Sequence, residues 1–130
     1  MPKTHKPRSI EITGASHKAP IPAAARVGNL LCTSAVSGKD PFTGELPTNA
    51  AAQAHNAFIN LKAVLEAGGG SLLNIAKLSV TLKDNSLREI FNNEWNTAFP
   101  NPLDRPARHI VLHNLEHNML LQIEAIAFVA

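Results

Sequence analysis

Hydrophobic and polar positions along the chain change period several times, and each change marks an element. Ala54, Phe58, Leu61 and Leu65 recur at intervals of four, three and four, which makes one apolar helical stripe. Gln53, Asn56, Asn60, Lys62 and Glu66 lie mostly off it. Thr48 or Asn49 can cap this helix, and Gly68 stops it. From Ile75 to Leu82 the period falls to two. Ala76, Leu78, Val80 and Leu82 alternate with Lys77, Ser79 and Thr81, which predicts a half-buried strand. A second helix is predicted to about Phe99, with Leu87, Ile90, Phe91, Trp95 and Phe99 in register. Ser86 and Glu89 have the spacing of a capping box at its start, and Pro100 and Pro102 end it. Weaker alternation predicts strands over 9–12, 24–27 and 30–36, the last two joined by Gly28-Asn29. Residues 14–22 read as an extended loop, and Asp40-Pro41-Phe42-Thr43-Gly44 reads as a turn. Strands over 108–112 and 120–129 complete the chain. The order β-β-β-α-β-α-β-β predicts an α+β sandwich, one domain over residues 1–130, with its helices on one sheet face. The other face then needs a cover, and association with copies of the same chain is the simplest one.

Composition narrows the function classes. The chain has 130 residues, 45% of them hydrophobic and 17% charged, and a net charge of +2, which suits an ordinary globular domain. No run approaches the ~18 apolar residues of a membrane helix. The opening MPKTHKPRSIEITG has no apolar core, so no signal peptide is expected. The single cysteine, Cys32, excludes an internal disulfide and fits a reducing compartment such as the cytoplasm. Lys3, Lys6, Arg8 and Lys18 face only Glu11, but no aromatic interleaves with them, so nucleic acid is not an expected partner. Gly68-Gly69-Gly70 follows a helix instead of opening one and is no phosphate cradle.

Few residues are left to carry chemistry. Glu124 stands in the apolar terminal strand MLLQIEAIAFVA, on a face with Leu120, Gln122, Ile126 and Phe128. A carboxylate there is either a wet surface charge, an ion-pair partner or a working group. Arg108 opens a strand after PNPLDRPA and shares a face with Ile110 and Leu112, where its planar fork can take a carboxylate. It is equally a partner for Glu124 or Asp104. His109, His113 and His117 recur every four residues, but a turn breaks the series and no metal-motif carboxylate accompanies them, so no metal is expected. Ser34 and Ser37 lack a nucleophile elbow, and Cys32 reads as a small buried hydrophobe. These residues suit the binding of a small anion without naming a reaction.

The strings RVGNLLCTSAV, DPFTGELP, NLKAVLEAGG, RPARHIVL and IEAIA resemble the RidA family, also called YjgF, over about residues 15–130. The resemblance implies a chorismate-mutase-like α+β fold, a homotrimer with a central barrel, and clefts between subunits. It implies hydrolysis of reactive enamines and imines, such as 2-aminoacrylate and 2-imino acids, to 2-oxo acids and ammonia, with no cofactor or metal. Residue by residue, Arg108 matches the arginine that clamps the substrate carboxylate, and Glu124 the glutamate that orients water. Ser34 and Asn92 match groups lining the cleft. Gly28, Asn29 and Gly44 match turn positions of the pattern. Three departures bear on substrate range. Ile21 follows Ala19-Pro20 where the deaminases usually carry a Tyr, Ala35 follows Ser34 in place of Gly, and Ile110 stands where Cys is common. The resemblance implies that the useful group at that last position is a backbone carbonyl, which Ile110 also carries. Alternatives are a deaminase of a larger enamine such as 2-aminomuconate, a non-catalytic trimer binding a small carboxylate, and a ribonuclease.

Overall fold

The computed structural model describes residues 7–12 and 19–130 of the chain. Most of the 14–22 loop, and Lys3, Lys6 and Lys18, lie outside these residues. Among the described residues, seven strands and two α-helices follow in the order β1 (Ser9–Ile10), β2 (Ala24–Val27), β3 (Leu30–Thr33), β4 (Val36–Ser37), α1 (Ala50–Ala67), β5 (Ile75–Leu82), α2 (Arg88–Ala98), β6 (Ala107–Leu112) and β7 (Leu121–Phe128). The strands form one mixed sheet, β1-β2-β3-β7-β5-β6, with β4 also pairing β7. Only β5 and β6 run parallel, because α2 carries the chain back between them. Both helices cover one face of the sheet, as the alternation predicts.

Local chemistry explains the elements. Gly28, at φ +60°, takes the first position of a two-residue turn that pairs Val27 with Leu30. Asn49 caps α1, its Oδ1 accepting from the Ala52 amide at 2.9 Å. The 30–36 strand is interrupted. Its two parts, β3 and β4, pair with β7 on either side of Ser34-Ala35. Gly38 passes so close to the Gln53 backbone that no side chain fits there.

The core is the helix-side face. Leu78, Val80 and Leu82 of β5 oppose Ala125, Ile123 and Leu121 of β7, and all are buried. Phe58 of α1 meets Phe91 and Phe99 at ring centroids of 5.6 and 6.4 Å, which locks the two helices together. Four expectations are corrected. Gln53 and Asn60 are fully buried, because each satisfies main-chain groups. Asn60 Nδ2 donates to the Ser37 and Lys39 carbonyls, while Gln53 holds the backbone at Asn118 and Leu120. In β5, Ile75 is inside and Ala76 outside, since a bulge between Ile75 and Lys77 shifts the alternation. The capping box is not formed. Asp84 caps a 3₁₀ turn over Asn85–Leu87 by accepting from Ser86, and α2 grows directly out of that turn. Cys32 is only half-buried, on the face away from the helices.

Candidate active site

Adjacent residues of β5 divide the predicted site between the two faces of the sheet. Leu78 pairs with Arg108 of β6, so Arg108 points to the helix side. Ser79 pairs with Glu124 of β7, so Glu124 points to the open side. Successive strand residues face opposite ways, and one chain therefore sends these two groups apart.

Arg108 is held from three directions. Its guanidinium carbon lies 4.8 Å from the Trp95 ring centroid and 5.5 Å from that of Phe91. Nη1 donates to Asn92 Oδ1 at 2.9 Å. Its partner is thus Asn92, and neither Glu124 nor Asp104 pairs with it among the described residues. Burial first, and then the neighbouring guanidinium groups of Arg88 and Arg105, pull Arg108 below the ordinary arginine range. Ile110 follows on the same side, half-buried opposite Val80. Because β6 is the edge of the sheet, this half of the site lies at its rim.

The Glu124 half is a shallow pocket of about 100 Å³ lined by Ala35, Ser79, Thr81, Gln122, Ile123 and Glu124. Its walls come from the break between β3 and β4 and from the hydroxyl face of β5. Glu124 is exposed. His109 extends the same row, since it pairs with Ser79 from the other side. Ser34 does not point its hydroxyl into this pocket as a nucleophile would. Its Oγ donates to the Pro22 carbonyl at 2.8 Å and ties the loop carrying Ile21 to the sheet, with Ile21 47% exposed.

The structure thus brings Arg108, Asn92 and Ile110 together, and sets Glu124 and Ala35, next to Ser34, in a second group. Sequence reasoning missed Ser79, Thr81 and Gln122, although the β5 alternation had already put both hydroxyls on one face. It counted Phe91 and Trp95 only as core. His113 and His117 join no cluster, for no group of three or more potential ligands occurs among the described residues.

The family model described as Endoribonuclease L-PSP matches residues 16–129. The chain belongs to this family, the RidA/YjgF family. A 2-iminobutanoate/2-iminopropanoate deaminase of Escherichia coli is 37% identical over 109 residues, covering 78% of this chain and 80% of that protein. Crystalline RidA from an Antarctic Psychrobacter superposes with a TM-score of 0.86 at 33% identity, covering 93% of this chain and 98% of its own. E. coli TdcF with bound serine gives 0.86 at 29% identity, covering 94% and 98%. The α+β, chorismate-mutase-like fold expected from the RidA resemblance is the fold found. Among the described residues, no helix is long and apolar enough to cross a membrane.

Proposed function

We propose that this chain hydrolyses 2-imino acids, and the enamines that tautomerise to them, to 2-oxo acids and ammonium. Its site is completed between copies of the chain in a homotrimer. The observation that carries this reading is Arg108, a half-buried guanidinium set on two aromatic rings, held by a neutral amide and without a carboxylate partner among the described residues. Such a group is built to receive a carboxylate as a planar fork. Family relatives named imine deaminases support the choice of reaction.

The substrate R–C(=NH2⁺)–COO⁻ has its carboxylate on Arg108. Ile110, with Ile21 of a second copy, gives its side chain an apolar wall. A second copy brings its open face to the β6 rim, and its Glu124 holds a water against the imine carbon and accepts a proton. Water oxygen bonds to that carbon, the C=N electrons pass to nitrogen, and a carbinolamine forms. The proton held by Glu124 returns to nitrogen, Glu124 takes the carbinolamine hydroxyl proton as the C–N bond breaks, and that proton passes to the departing ammonia, so that R–CO–COO⁻ and NH4⁺ leave. The exposed row of Val27, Leu30 and Phe128, aligned across three neighbouring strands, supports assembly on the open face.

An amino-acid oxidase supplying 2-imino acids, with semicarbazone trapping of the imine that remains, tests the reading. Wild type accelerates imine loss and Arg108→Ala does not. Equal acceleration by both proteins overturns it.

A further inference from the structure

Helix α2 carries Arg88, Asn92 and Asn96 at intervals of four, so the three share one face. Each has a guanidinium group beside it. Arg88 brings its own, with Nε donating to Asn85 Oδ1 at 3.0 Å. Asn92 holds Arg108. Asn96 Oδ1 accepts from Arg105 Nη2 at 3.2 Å, while Arg105 Nε donates to the Phe99 carbonyl at 2.9 Å. Three cations are therefore strung along about 12 Å of one helix face. Every acceptor that holds them is a neutral amide oxygen. Ion pairs among the described residues are His55–Glu94, Lys62–Glu66 and His117–Glu116, none of which involves these arginines. Asp84 is occupied by Ser86, and Asp104 makes no ion pair with adjacent Arg105.

Arg88 is the least expected of the three. It is the first residue of α2, where the helix dipole disfavours a cation, and it is exposed. Its side chain bonds to Asn85 and makes no ion pair among the described residues, which leaves its charge available to what the face binds. Arg105, by contrast, is tied twice to the end of α2 and has a structural role besides its charge. Arg88 and Asn92 are separated by about 6 Å along the axis, which matches the reach of a short diacid.

We infer that this face selects 2-imino acids bearing a second carboxylate, with Arg108 taking the carboxylate next to the imine carbon and Arg88 the distal one. The inference rests on the deaminase reading for its reaction, which is the same hydrolysis with an acidic side chain. A nucleic-acid track is disfavoured, because Phe91 and Trp95 are buried and offer no base a stacking surface.

The imines of glutamate and of 2-aminobutanoate, generated in place by oxidases, are compared in the semicarbazone assay. Wild type prefers the diacid in kcat/KM. Arg88→Gln lowers the diacid-to-neutral ratio by about tenfold, through KM, as expected for one charge-assisted contact, and Arg88→Lys restores part of it. A wild-type preference for the neutral imine, or an unchanged ratio in Arg88→Gln, overturns the inference. If neither imine is hydrolysed, the deaminase reading fails, and thermal-shift titration decides the anion face separately. A larger stabilisation by 2-oxoglutarate than by 2-oxobutanoate, lost in Arg88→Gln, upholds it, and equal or absent shifts overturn it. Binding of a single-stranded RNA oligonucleotide that depends on Arg88, without any diacid effect, also overturns it.

Discussion

The two faces of the sheet are opposites in completeness. On the helix side most large groups are packed. Leu78, Val80, Ile123 and Phe91 are sealed, Gln53 and Asn60 spend their amides on main-chain groups, and even Arg108 is held by an amide and two rings. On the open side Glu124, Ile126, Phe128, Leu30 and Val27 face outward, and a polar pocket is bordered by an apolar row. One face is thus finished by the chain itself and the other is not. Under the proposed function, this difference separates the two kinds of chemistry. A preorganised clamp can be built only where packing fixes it, whereas a group that must meet another copy has to stay uncovered in one chain.

Two substitutions separate these roles most sharply. Phe91→Ala removes a fully buried ring shared with Phe58 and Arg108, and we expect a loss of about 3–5 kcal/mol in folding stability, read by urea unfolding. A loss under about 1 kcal/mol would mean that the helix-side face tolerates a hole, and that its apparent completeness is not energetic. Glu124→Gln keeps the strand and its exposure. It should lower kcat for imine hydrolysis about 100-fold or more while the unfolding curve stays in place. Retained turnover would leave the open face with assembly as its only role.

How much of this was legible in the sequence follows from which signals are local. The helix stripes, a cap at Thr48 or Asn49 and the β5 alternation from Leu78 onward are one-element patterns, and they were readable. The break at Ser34-Ala35 was not, because it depends on how two short strands divide β7 between them. Burial of Gln53 and Asn60 was hidden for a similar reason, since each amide looks polar until its distant carbonyl and amide partners are known. The Ser86–Glu89 spacing misled because Asp84, two residues earlier, offers a nearer cap. In the candidate site, Arg108 and Glu124 stand out in the sequence as odd residues in apolar strands. That they leave opposite faces requires the register of three strands, which only pairing supplies.

Asn92 offers a smaller and more pointed test of the clamp. Its Oδ1 accepts one bond from Arg108, and aromatic packing holds the guanidinium regardless. Asn92→Ala should therefore leave Arg108 in place but less well aimed. We expect KM for an imino acid to rise about tenfold with kcat less affected, the amount of one hydrogen bond to a charged group. A fall in kcat with KM unchanged would instead put Asn92 in contact with the reacting atoms.

The smallest effect on the fold, and the most informative about the open face, belongs to Phe128. It is 60% exposed and stands in register with Leu30, which itself pairs with Val27. Ring removal there takes little from the single chain, so Phe128→Ala should shift its folding stability by no more than about 0.5 kcal/mol. An assembly that buries this row loses a large apolar contact from every copy. Light scattering over a dilution series should then show the variant dissociating at concentrations where wild type holds together, with unchanged far-ultraviolet circular dichroism. Identical masses throughout would mean that copies do not meet on this row. The cover of the open face would then have to be sought at the Glu124 pocket alone, where loss of assembly and loss of turnover should appear together.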